Sequence, residues 1–332
     1  MRIRVCVGSY YAIGKDLVKA QFDFYAGSDF MQPQDKDNAD APSLYAQCEQ
    51  AGYSIARGYK DYLRKAKKAK KLILLQTAEA SERDRSSLPY AIDRTDKDMT
   101  LQEVTRAGVN FLTKQKKEGF FLMIEGGKID WACHSNDGAT MIREITDMDE
   151  AVKVAFEFYN QHPDETLIVV TADHETGGLV LGRGAYKLHT DLFRYQRMST
   201  DAYSLHLKAL HAQKGDDFTW ELVENDLKQN WGFGEGVKLS EKQQKRLHNA
   251  FDAMKNGSAA DKKSLYAKVD ALADAARAVM AECALIGWQS GGHSNGFVPV
   301  FAIGVGADAF HGQIDNTEIP QKIAKAAGWE MK

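Results

Sequence analysis

The stretch TLIVVTADHETGG, residues 166–178, decides the fold. Thr166–Ala172 is an apolar run of strand length, with Ile168, Val169 and Val170 at its centre. A β-branched run of that length bounded by turn residues predicts a buried strand. Asp173 and His174 follow at once, with Gly177 and Gly178 just beyond. The segment therefore sets two metal-capable side chains at the carboxyl end of a strand, where open α/β sheets carry their ligand sites.

Working outward, Thr140–Tyr159 reads as a long helix with Ile145, Met148, Val152 and Ala155 on one face, and Phe120–Ile124 as a buried strand. Thr100–Lys114 is amphipathic, with Leu101, Val104, Val109 and Leu112 at helical spacing. Before it, Phe22–Ala26 and Lys71–Leu75 read as short strands on either side of a basic helix around Ala56–Lys70. Strand, helix and strand in this order imply crossover connections and a largely parallel sheet flanked by helices, an α/β fold. From Arg183 to Glu282 the chain is polar, poor in strand signals and helical in pattern, as at Leu265, Val269, Leu272 and Val279. Phe297–Ile303 returns to strand and Ile319–Ala327 closes with a helix. The expectation is one α/β domain over residues 1–332, carrying a helical insertion over residues 183–282.

Bulk properties narrow the function classes. The chain has 332 residues, 44% hydrophobic and 27% charged, with a net charge of -3. Such a balance offers no basic surface for nucleic acid, and the lysines between Lys60 and Lys71 read as a solvated helix face. The apolar runs fall far short of the about 20 residues that span a bilayer, and MRIRVCVGSYYAIGKDL at the start lacks the apolar core of a signal peptide. Neither a nucleic-acid nor a membrane partner is expected. Four cysteines, Cys6, Cys48, Cys133 and Cys283, show no CxxC pairing, so packed thiols are expected rather than a disulfide scaffold.

Three clusters carry chemistry. FFLMIEGGKIDWACHSND, residues 120–137, ends a strand at Glu125, turns through Gly126 and Gly127, and sets Asp130 and His134 four residues apart, so that both can reach one metal. TADHETGG, residues 171–178, supplies Asp173 and His174; SGGHSNGFVPVFAIG, residues 290–304, holds His293 in a glycine-rich loop before a strand. Imidazole with carboxylate suits zinc, and carboxylate among oxygen donors suits magnesium. Any one cluster alone reads more readily as a surface or capping group. Three at strand–loop junctions together point to a metal site.

In this order, EGGKIDWACHSND, TLIVVTADHETGG and GGHSNGFVPVFAIG closely resemble the alkaline phosphatases. FDFYAGSDF (22–30), LPYAIDR (88–94) and DNTEIP (315–320) extend the resemblance from about Tyr10 to the end. It implies a three-layer α/β sandwich and hydrolysis of phosphate monoesters, with inorganic phosphate as product, by a zinc pair that clamps in-line phosphoryl transfer. Asp130, His134 and His293 match the three protein ligands of the first zinc, Asp173 and His174 match two of three at the second, and Glu125 matches one ligand of a magnesium site. Trp131 stands where family members carry residues that tune phosphate binding through water. Full-length members are usually periplasmic or extracellular, and a homodimer is implied for that form.

The resemblance stops short at the N-terminus. The family's serine nucleophile sits in an Asp-Ser-Ala-type motif at a helix start, and no such motif occurs in these residues. The upstream zinc–magnesium Asp, the magnesium Thr and the phosphate-gripping Arg have no match either; Arg2 and Arg4 have the wrong spacing to Tyr10 and Tyr11 for the last role. MRIRVCV, residues 1–7, departs from the family, so an N-terminally truncated chain of little or no activity is the expectation. The first zinc would stay complete in ligands and the magnesium site weak or empty, while lost interior strands would leave an apolar edge prone to association. The rival class is a non-catalytic metal- or phosphate-binding derivative of the fold. A phosphodiesterase, sulfatase or metal-dependent mutase of the wider superfamily is more distant.

Overall fold

In the computed structural model, the described residues are 8–115, 119–263 and 266–330. Arg2, Arg4, Cys6 and Leu265 lie outside them. The chain packs as two compact units, Met1–Gly126 with Asp147–Ala155, and Gly127–Thr146 with Phe156–Lys332.

The first unit is built on a three-stranded parallel sheet, in the order Phe24–Gly27, Lys71–Leu75, Tyr53–Arg57. The middle strand, KLILL, is fully apolar after its lysine because both its edges and faces are covered; Leu72, Ile73 and Leu74 are buried. Where a basic helix is expected from Ala56, the chain instead completes the strand Tyr53–Arg57 and only then turns into the helix Tyr59–Lys65. Gly52 and Gly58 bracket that strand with φ of 90° and 76°, a region open to glycine. The helix Leu101–Thr113 begins in a capping box, Thr100 with Glu103, and packs Ala107 and Phe111 onto Tyr62, Leu72 and Leu74. Phe120–Ile124, expected to be a buried strand, joins no ladder among the described residues; Phe121 and Met123 are exposed. A run of apolar residues becomes a strand only when a neighbouring backbone is there to pair with.

The second unit is mostly helical. Its strands form two-stranded antiparallel pairs, so the parallel sheet seen in this chain is the small one of the first unit. Leu167–Val170 pairs with Phe301–Gly304 and is half-buried rather than buried, having one ladder neighbour. Gly304, with φ 101°, ends that pair: a Cβ there would stand 1.9 Å from the Thr166 carbonyl oxygen. Within Arg183–Glu282 the chain forms the helices Thr200–Lys214, Trp220–Trp231, Glu241–Lys255 and Ala271–Cys283. They enclose a core of Tyr203, Leu207, Phe218, Leu227, Trp231 and Leu272. No described helix is long and apolar enough to cross a membrane. Cys48, Cys133 and Cys283 are free thiols.

One buried carboxylate fixes how this helical region meets the rest of its unit. Asp137 ends the segment after the short helix Gly127–His134 and caps the helix Gly138–Gln161 by accepting from Thr140 N at 3.1 Å. It also accepts from Thr200 N at 2.8 Å, Thr200 Oγ1 at 2.6 Å and Gln196 Nε2 at 3.0 Å. Asp137→Ala would strand these buried donors, so we predict a loss of about 3 kcal/mol or more in urea unfolding of the chain. Loss of under about 0.5 kcal/mol would show that the carboxylate is not needed.

Candidate metal centre

Three segments of the second unit build the centre. The helix Gly127–His134 carries Asp130 and His134 on one face, one turn apart. Glu175–Thr176 pairs antiparallel with His293–Ser294, which brings the loop after Leu167–Val170 against the glycine-rich loop. Backbone bonds close the junction: Gly177 N donates to Gly292 O at 2.9 Å, and Gln289 N to Gly177 O at 2.9 Å. Glycine is required at 177, where φ is 88° and a Cβ would meet Trp288 at 2.7 Å. Asn136, with φ 54°, reaches across to the Ser290 carbonyl at 2.7 Å. Glu175 clamps its own turn, accepting from Gly178 N at 2.7 Å and from Ser294 Oγ at 2.5 Å.

This frame aims the side chains at one point. Asp130, His174 and His293 each offer a ligand atom, all within 4.8 Å of one another, a grouping able to hold a metal ion. His134 joins them: its Nε2 lies 3.3 Å from Asp130 Oδ2 and 3.1 Å from His293 Nε2. Two imidazole nitrogens facing each other at that distance, with a carboxylate alongside, form a donor set that fits a zinc ion. The His174 and His293 rings stack with centroids 3.6 Å apart. Second contacts fix the ligand orientations. His134 Nδ1 is 2.6 Å from the Gly291 carbonyl, a contact in which the ring nitrogen donates. Thr176 Oγ1 donates to Asp130 Oδ1 at 2.6 Å. Cys133 lies between Asp130 and His134 in sequence and is buried. Burial first, and then the Asp130 and Glu175 charges, push its thiol up to about 12.

The alkaline phosphatase family profile matches residues 20–329. The chain belongs to the alkaline phosphatase family. Alkaline phosphatase 3 of Bacillus subtilis (strain 168) is 32% identical over 294 residues, covering 87% of this chain and 55% of that protein. Alkaline phosphatase 4 of the same organism is 30% identical over 287 residues, 85% of this chain and 53% of the other. The chain thus spans about half the length of these curated relatives. Among solved structures, the cold-active alkaline phosphatase from the psychrophile Shewanella sp. superposes with a TM-score of 0.74 at 29% identity, covering 98% of this chain and 69% of that one. The Thermus thermophilus alkaline phosphatase shares the fold, with a TM-score of 0.73 at 23% identity, covering 98% and 66%.

Of the residues singled out in the sequence, Asp130, His134, His174 and His293 come together in the second unit. Asp173 is highly exposed and touches the group through His174, with Oδ2 3.2 Å from Nε2. Glu125 belongs to the first unit and is exposed. Thr176, Glu175 and Asn136 were not anticipated. Thr176 had a signal, since it lies two residues past His174 and so shares its face of an extended segment. Because Thr176 holds Asp130 in place, Thr176→Val should weaken zinc binding about 10-fold in a competition titration, with the melting temperature of the metal-free chain unchanged. Unchanged affinity would remove that role.

Proposed function

We propose that the chain is the metal-binding portion of a phosphate-monoester hydrolase that works through a zinc pair. The convergence of Asp130, His134 and His293 carries this reading, supported by Thr176 and the Gly291 carbonyl behind them. On this reading these three hold the first zinc. Asp173 and His174 give two of three ligands to the second, and Glu125 gives one ligand to a magnesium site that stays weak or empty here. Bound zinc supplies Lewis-acid stabilisation of phosphoryl charge and a low-pKa water. The protein's part is to hold two imidazoles and a carboxylate in fixed orientations, so that a phosphate monoester, or the inorganic phosphate product, meets a prearranged positive centre.

No Asp-Ser-Ala motif stands in residues 1–332. Among the described residues, Ser294 Oγ donates to Glu175 and Ser290 Oγ to Gly292 O. On this reading no residue of 1–332 takes the part of the phosphate-accepting serine, and these residues alone would turn over little or nothing. The same observation favours, as a second reading, a derivative of the fold that binds metal or phosphate without catalysis. Fusing the serine-bearing N-terminal segment of a family relative in frame to this chain separates them. The fused protein should hydrolyse p-nitrophenyl phosphate in a zinc-dependent manner, lose that activity in His293→Ala, and leave the 332-residue chain inert by comparison. A fused protein that binds zinc and does not turn over would support the non-catalytic reading.

A further inference from the structure

The helical region sends one residue into the metal centre. Tyr266 stands two residues before the short strand Lys268–Val269, which pairs antiparallel with Lys262–Lys263. Its ring stacks on Trp131, with centroids 4.2 Å apart and planes at 11°. It also meets His134 edge to face, with centroids 5.4 Å apart and planes at 67°. The Lys128 ammonium sits over the same indole, 4.2 Å from its centroid. Tyr266 thus touches the residue that follows Asp130 and the histidine one turn beyond it.

The segment that follows Tyr266 is itself rooted. Val269 is buried, and Asp270 N donates to Ser204 Oγ at 3.0 Å. The Asp270 carboxylate caps the helix Ala271–Cys283 through Leu272 N and Ala273 N, each at 2.9 Å. Tyr266 itself is 46% exposed and is not among the residues that form or pack against the helical core of its unit. Two of its ring contacts are with the helix Gly127–His134. Aromatic pairs of offset-stacked and edge-to-face type are directional, and a half-exposed ring in both arrangements at once fixes the plane of each neighbour.

We propose that Tyr266 is a positioning residue for the metal centre: it holds the His134 imidazole and the Trp131 indole in the orientation that presents His134 Nε2 and Asp130 to one ion. The inference rests on the reading of Asp130, His134 and His293 as metal ligands. It gives the helical region a task at the centre besides covering it.

Cobalt(II) titration of the 332-residue chain, followed by visible absorption, tests it. Tyr266→Ala should weaken cobalt binding about 10-fold and change the shape of the absorption band, with the melting temperature of the metal-free chain unaltered. Tyr266→Phe, which keeps the ring, should bind as the parent does. Equal affinity and band shape in Tyr266→Ala would overturn the proposal. So would an equal defect in Tyr266→Phe, or a fall in the metal-free melting temperature in step with the lost affinity. A parent chain that binds no cobalt would sink the underlying reading of the ligands, and this inference with it.

Discussion

The Asp137 carboxylate is the constraint on which the second unit turns, because it is buried and accepts from donors on three segments. It lies three residues after His134, starts the helix Gly138–Gln161, and receives the start of the helix at Thr200. A buried carboxylate is tolerated only where donors surround it. The donors here come from both the metal-site segment and the helical region, so satisfying one charge sets the position of both. Arg277 extends the tie, with Nη1 3.2 Å from the Asn136 carbonyl. The helix that offers Asp130 and His134 is only eight residues long, too short to hold a ligand geometry alone. Its rigidity is borrowed from Asp137 and from the paired loops that carry His174 and His293.

The fold was legible where local pattern and final environment agree. KLILL at 71–75 and the helix Leu101–Thr113 are such cases, the first by an uninterrupted apolar run and the second by apolar spacing. Tyr53–Arg57 was not, since Ser54, Ala56 and Arg57 dilute its strand character and the lysines that follow suggest a helix. The glycines on either side were the usable signal. Phe120–Ile124 fails for the opposite reason: its residues favour a strand, but pairing depends on a partner that local sequence does not name. Leu167–Val170 was placed correctly as a strand. The largely parallel sheet expected around it is, in the described residues, a single antiparallel neighbour.

The centre was legible as three clusters and not as one site. Asp130 and His134 advertise themselves by helical spacing, and His174 and His293 by position at strand–loop junctions. What orients them left fainter marks. Thr176 shares a face with His174, which period-two spacing could reveal. The Gly291 carbonyl and the Asn136 amide act through backbone geometry that a sequence does not display. Tyr266 has no motif around it, and only the tertiary packing of Trp131 brings it to notice.

The central claim is that Asp130, His134 and His293 form a complete set of protein ligands for one zinc while the neighbouring position is only partly furnished. Zinc content measured by inductively coupled plasma mass spectrometry, on the purified 332-residue chain after exposure to zinc and gel filtration, tests it most directly. The account predicts about one zinc per chain, falling to none in the His134→Ala, His293→Ala double variant. A parent chain that retains no zinc would contradict it.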